Sequence, residues 1–406
     1  MRHLLFHLFM HYFLLSTLSC TSATTSITTN SLRPFLRNKG TLNLPTQFEA
    51  IYQFGDSLND NGNFIRQLPG GPKSAVARLP YGETLKRPTG RASDGLIMVD
   101  YIAMNFQLPP LIPYLANGSN FTHGVNFAVF GATATGGIGA NSLASQLDWF
   151  KSHLKATYSS PAGTYSIFDQ LVGFLGVVTL SIKEKLQKSL VMMGEIGGND
   201  FNGPFYQGKT IPELTPLIPI VVQTIKDAVE EVISLGANNI VVPGNFPIGC
   251  VPLYLVNFAT NDTSKYDELQ CLKDYNDFSK LYNQQLIQAI QQLQQEHPNV
   301  AIVYADYYSA LIWVITNSPQ LGIEPGCAKK ACCGTGSNPY NYDGHKFCGS
   351  PGVSVCPDPT KRISWDGVHM TQQGNKCVAN LLVKQFAPKL QKNHVHIPRR
   401  KPIKIN

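Results

Sequence analysis

The chain has 406 residues, 43% of them hydrophobic and only 15% charged, a balance that argues for a globular protein and against disorder. Its formal net charge is +7, but Lys389, Lys392, Arg399, Arg400, Lys401 and Lys404 supply six of that with no acid among them, leaving a body near neutrality. A near-neutral body has no electrostatic footprint for nucleic acid, so no such partner is expected.

In chain order, Met1-Arg-His3 and the mostly apolar stretch 4–18 read as a secretory signal peptide over 1–23, cut after the small residues Thr21, Ser22 and Ala23. A lipoprotein site at Cys20 is the alternative, though serine before the cysteine fits it poorly. Residues 24–49 read as a loose lead-in, 50–388 as one folded domain, and 389–406 as a basic, solvated tail. No later run is long and apolar enough to span a bilayer, so a soluble protein of the secretory pathway is expected.

Cysteine usage agrees with export. Cleavage would remove Cys20 and leave eight: Cys250, Cys271, Cys327, Cys332, Cys333, Cys348, Cys356 and Cys377. An even number in an exported chain suggests disulfides, whose connectivity spacing does not give. Paired Cys-x-x-Cys ligands are absent, and we expect neither a metal nor a cofactor. Sequons at Asn117, Asn120 and Asn261 fit N-glycans.

Short apolar strands are expected at 50–54, 125–130, 190–196, 239–242 and 300–305, alternating with helices as in parallel βαβ units. One helix shows an apolar face of Ile220, Val221, Thr224, Ile225, Ala228, Val229, Val232 and Ile233, with Gly236 as its stop. Another runs from about Tyr275 to Glu296, with Leu281, Leu286, Ala289, Ile290 and Leu293 inward. Residues 324–359, rich in Cys, Gly, Pro and Asn, read as a long loop stapled by disulfides.

The chemistry centres on Ile51-Tyr-Gln-Phe-Gly-Asp-Ser57-Leu-Asn-Asp-Asn-Gly-Asn63. An apolar strand gives way to a polar turn that reads as leading into a helix. A serine there sits at the carboxyl end of a strand, where open α/β sheets bind ligands. Gly-Asp-Ser is also a common turn tripeptide, and Asn59 rules out the Gly-x-Ser-x-Gly elbow. Serine needs a general base, and the base needs an orienting group. Asp366 and His369 stand three apart in Ser364-Trp-Asp-Gly-Val-His369, so one turn can project both. Asn199, in Glu195-Ile-Gly-Gly-Asn-Asp200, and Gly131, after Asn126-Phe-Ala-Val-Phe130, could donate to an oxyanion. Each stretch alone reads equally well as a structural turn.

Together these four stretches resemble the GDSL, or SGNH, family of serine esterases and lipases, over about Ala50 to Phe386. The resemblance implies a three-layer α/β/α fold with a five-stranded parallel sheet. It also implies a Ser57–His369–Asp366 triad and an oxyanion hole from the Ser57 and Gly131 N–H groups and the Asn199 amide. Tyr81-Gly, Arg87-Pro-Thr-Gly-Arg, Phe246-Pro-Ile-Gly-Cys250, Cys332-Cys-Gly334 and Trp365-Asp-Gly-Val-His369 look like the plant branch. Within it the chain is most similar to the group of acetylajmalan and sinapine esterases, which act on esters of plant specialised metabolites, alkaloids and phenylpropanoids among them. Asn59-Asp-Asn-Gly-Asn63 departs from that group's usual Ser-Asp-Thr-Gly-Asn, though Asp60, Gly62 and Asn63 are kept. An acyltransferase with the same triad, a lipase, or a non-catalytic binding protein are the other readings. The residues expected to wall the pocket are 59–63, 133–141 and 201–206.

Overall fold

A computed structural model describes residues 48–136, 141–158 and 180–390. The expected leader, the lead-in up to residue 47, Cys20 and the tail beyond Leu390 lie outside the described residues. The last helix runs through Lys389 to Leu390, slightly past the boundary expected at 388.

Six parallel strands form the sheet: β1 (Ala50–Gln53), β2 (Ile112–Pro113), β3 (Gly124–Asn126), β4 (Ser189–Met192), β5 (Asn239–Pro243) and β6 (Ala301–Ala305). Their order is β2-β3-β1-β4-β5-β6. Strands covered on both faces read as continuous apolar runs rather than as alternation. Accordingly, successive residues feed opposite cores. Tyr52, Val191 and Ile240 enter one core with helices α2 (Leu143–Tyr158), α3 (Asn199–Tyr206), α4 (Ile218–Ser234) and α5 (Lys273–Glu296). Ile51, Leu190 and Val241 enter the other with α1 (Met98–Asn105), α6 (Tyr307–Thr316) and α7 (Gln372–Leu390). This is the expected α/β/α layering.

Several expectations need correction. The sheet has six strands, not five. The extra one, β2, is two residues long, contains Pro113 and pairs only with β3, so it leaves no pattern in the sequence. Proline is tolerated there because the strand is at an edge. The strand expected at 190–196 ends at Met192, because Gly194 turns the chain at φ +67° and a Cβ on it would lie 2.1 Å from the Phe54 carbonyl. Ile220 and Leu281 are exposed rather than inward. The buried stripes run through Val221, Val222, Ile225, Ala228, Val229 and Val232, and through Phe278, Tyr282, Leu286, Ile290 and Leu293, and both residues fall to the side.

Residues 324–359 carry two disulfides, Cys332–Cys356 and Cys333–Cys348, around a two-residue antiparallel ladder. A third, Cys250–Cys271, ties the turn after β5 to the segment before α5. These close separations of 24, 15 and 21 residues. Each loop closure is worth about 3 kcal/mol on the chain-entropy account. Reduction is therefore expected to lower the melting temperature by about 5 °C or more. Six or more reactive thiols in the unfolded, unreduced protein would refute the pairing.

The strand order sets the position of the site. From β1 the chain moves to β3 on one side and later to β4 on the other. Ligands of open α/β sheets bind at such a switch point, beyond the carboxyl ends of the strands. The turns after β1, β3 and β4 carry Ser57, Gly131 and Asn199.

Candidate active site

No continuous helix follows Ser57, contrary to the sequence expectation. A single helical turn closes instead, with the Asn59 and Asp60 N–H groups donating to the Asp56 carbonyl at 3.2 and 2.9 Å. Side chains stitch this turn in place. Gln146 clamps both sides of the Gly55 residue, accepting from its N–H at 2.9 Å and donating to its carbonyl at 2.8 Å. The Asp60 carboxylate accepts from the N–H groups of Gly62, Asn63, Phe64 and Phe130, joining the turn to the loop that carries Gly131. Asn63 donates to the Asn126 and Ala128 carbonyls. Residues 59–63 are therefore buried struts and not pocket walls.

Asp366 and His369 sit in a closed loop just before α7, where the Trp365 N–H donates to the His369 carbonyl at 2.7 Å. Gly367 at its tip has φ +92°, and a Cβ there would meet the Tyr342 ring at 2.1 Å, so no other residue fits. His369 Nε2 lies 2.9 Å from Ser57 Oγ, and Nδ1 lies 2.8 Å from Asp366 Oδ2. The carboxylate requires a proton on Nδ1, which leaves Nε2 as the acceptor for the serine hydroxyl. Asp366 Oδ1 accepts from the N–H groups of Val368 and His369, and Oδ2 also from the Tyr81 hydroxyl at 2.8 Å. Burial would raise the Asp366 pKa, but the charge and hydrogen bond of His369 and these N–H donors hold it below the ordinary value. For His369 burial acts downward, and the Asp366 carboxylate outweighs it, so its pKa is raised above 6.5. Phe130 packs beside the imidazole, ring centroids 5.4 Å apart.

On the other side of Ser57, the N–H groups of Ser57 and Gly131 make no hydrogen bond among the described residues. The Asn199 amide is not free. It donates to Asp56 Oδ2 and to the Ala132 carbonyl, both at 3.0 Å. An oxyanion would have to share one of these hydrogens. Next to Asn199, Asp200 accepts from the Ala134 and Thr135 N–H groups, tying the β4 loop to the β3 loop. Beneath them Asp56 and Glu195 are both buried side by side, and burial raises both pKa values. Two carboxylates in contact cannot both ionise, so one proton is shared.

A cavity of about 620 Å³, open mouth included, starts at Ser57 and His369. Its walls are mainly apolar: Leu58, Phe246, Ile248, Leu253, Leu311 and Met370. Further polar contributions come from Asp56, Glu195 and Tyr254 and from the amides of Asn199, Asn202 and Asn245. Of the stretches expected to line it, among the described residues only 201–206 does so, through Asn202. Sequence reading missed Tyr81 as a partner of Asp366, the Asp56–Glu195 pair, and Asn245. Tyr81 had stood out only as a mark of the plant branch. Among the described residues, no group of three His, Cys, Asp or Glu side chains is placed to hold a metal ion.

Comparison with known proteins agrees with this geometry. Residues 51–382 match the model of the GDSL-like lipase/acylhydrolase family. Acetylajmalan esterase 1 of Rauvolfia serpentina is 39% identical over 356 residues, covering 85% of this chain and 88% of that protein. A second Rauvolfia serpentina acetylajmalan esterase is 40% identical, covering 83% and 85%. A GDSL esterase/lipase of Arabidopsis thaliana is 38% identical, covering 83% and 86%. The chain belongs to the GDSL-like lipase/acylhydrolase family and is an enzyme that hydrolyses ester bonds.

Proposed function

We propose that the protein is a serine carboxylic-ester hydrolase in which Ser57 is the nucleophile, His369 the general base and Asp366 the group that orients it. The observation that carries this reading is the unbroken hydrogen-bonded run from Ser57 through His369 to Asp366, joining residues 312 apart in sequence. Ser57 Oγ attacks the ester carbonyl as its proton passes to His369 Nε2. The resulting oxyanion takes hydrogen bonds from the Ser57 and Gly131 N–H groups and the Asn199 amide. Collapse expels the alcohol, protonated by His369, and leaves an acyl-enzyme. Water, deprotonated by the same imidazole, then releases the acid.

The substrate in this reading is a soluble, compact ester of a plant specialised metabolite, such as an alkaloid or phenylpropanoid ester. Two things support it: a cavity that opens beside Ser57 and His369, with apolar walls interrupted by a few polar side chains, and the names of the acetylajmalan esterases. The enzyme would enter the secretory pathway through residues 1–23 and work in the apoplast or vacuole. Asn117, Asn120 and Asn261 are all exposed, as N-glycan acceptors must be.

Chain length tests the substrate class. On p-nitrophenyl esters, kcat/KM is expected to fall from short acyl groups to palmitate. A steady rise toward palmitate would mean a lipid groove and would overturn the reading.

A further inference from the structure

Among the cavity walls, one side chain has no function in the chemistry above and no partner in the fold. Asn245 follows β5, beside the loop that carries Asn199. Its backbone is clamped on both sides by one side chain: its N–H donates to Asn283 Oδ1 at 2.7 Å, and its carbonyl accepts from Asn283 Nδ2 at 2.9 Å. Its own carboxamide makes no hydrogen bond among the described residues, yet the residue is only 5% exposed and faces the cavity. Asn59 and Asn61 hold fully enclosed amide atoms without a partner among the described residues, whereas the Asn245 carboxamide stays open to the cavity, where a ligand oxygen can take the place of water.

A second amide stands on the same wall. Asn202 accepts from the Tyr254 hydroxyl through its Oδ1 at 2.5 Å. In this orientation its NH₂ makes no hydrogen bond among the described residues and is the end left for a ligand. Around the two lie Phe246, Ile248, Leu253 and Leu311, which make no hydrogen bonds through their side chains. The cavity thus combines apolar walls with one amide that can both donate and accept and one that can only donate.

We propose that Asn245 is a specificity-determining residue: it hydrogen-bonds an oxygen on the part of the ester that fills the cavity, with Asn202 as a second donor to the same region. The ligand class is an ester whose cavity-bound part is an apolar ring or short chain carrying a hydroxyl group. A hydroxyl can donate to Asn245 Oδ1 and accept from an amide nitrogen, and so satisfies both ends of the wall. An analogue without that oxygen would leave the amide unpaired, which is how a site of this kind rejects it. The inference rests on the assignment of the cavity beside Ser57 as the substrate site.

The test uses two matched pairs of esters. Phenethyl acetate and its para-hydroxy analogue vary the alcohol part, and methyl phenylpropanoate and its para-hydroxy analogue vary the acyl part. In the wild-type enzyme, kcat/KM is expected to favour the hydroxylated member of at least one pair by about 10-fold, the size of one well-made hydrogen bond. Asn245→Leu, which has the same branching and number of side-chain heavy atoms but cannot hydrogen-bond, is expected to bring that ratio to about one. Asn245→Ala supplies the same ratio should the leucine fail to fit. A merely structural residue would lower both members of a pair by the same factor and preserve the ratio, and that result would overturn the proposal. So would a wild-type enzyme with no preference in either pair. Failure of the underlying assignment looks different: Ser57→Ala would then still hydrolyse the esters.

Discussion

Replacing Ser57 with alanine is expected to remove turnover and leave the fold intact. Loss of a triad nucleophile costs about 10⁴–10⁶ in kcat, the residue left being hole and binding alone. The fold should tolerate it because, among the described residues, Ser57 Oγ bonds only to His369 Nε2. The turn is held by other groups: the Gln146 clamp on Gly55 and the four N–H groups on Asp60. A serine-directed phosphonate should label the wild type at Ser57 and fail on the variant, whose melting temperature should be unchanged within about 2 °C. Activity within tenfold of wild type in Ser57→Ala would refute the nucleophile assignment.

His369→Ala is expected to cost about as much, because the two side chains act as a unit. Asn199→Ala should cost less, on the order of 10²–10³ in kcat, as for a single oxyanion donor. It also strips a donor from Asp56 and from the Ala132 carbonyl, so part of that loss reflects a rearranged loop. An unchanged kcat would make Asn199 a strut only. The pH profile separates base from hole. His369 must be neutral to take the serine proton, and Asp366 raises its pKa above 6.5. As pH falls through that raised value the imidazole protonates, and kcat/KM should fall with it. Asp366→Asn removes the main group that raises the pKa, keeps the smaller effect of Asp56, and leaves the burial that lowers it. The acid limb of this weakened enzyme should therefore move to lower pH. A flat acid limb in wild type, or one unmoved by Asp366→Asn, would count against His369 as base.

Much of the site was legible because its parts are local. Gly55-Asp-Ser57-Leu58 is a strand end running into a turn. Asp366 and His369 are three apart in one loop, and Asn199 follows an apolar run directly. Such features are written in consecutive residues. The α/β class was legible for the same reason, since apolar runs alternating with helical periodicity report burial on two faces of a sheet. Helix faces came out less exactly, as Ile220 and Leu281 show, because the edge of a buried stripe depends on what packs against it.

Apart from Ser57 and His369, 312 residues apart and already joined by the family resemblance, the pairings across the chain came only from the tertiary structure: Tyr81 reaches Asp366 across 285 residues. The disulfide partners, the two-residue edge strand β2 and the Asp56–Glu195 contact are of the same kind. The cavity walls changed most. Residues 59–63, polar and glycine-containing, looked like a rim and are buried struts, whereas Asn245 looked like any turn residue and faces the cavity. Sequence spacing reports which residues share a strand, a helix face or a turn. The order of strands in the sheet decides which turns meet at its carboxyl edge, and that order comes from packing between distant segments, which no local pattern records.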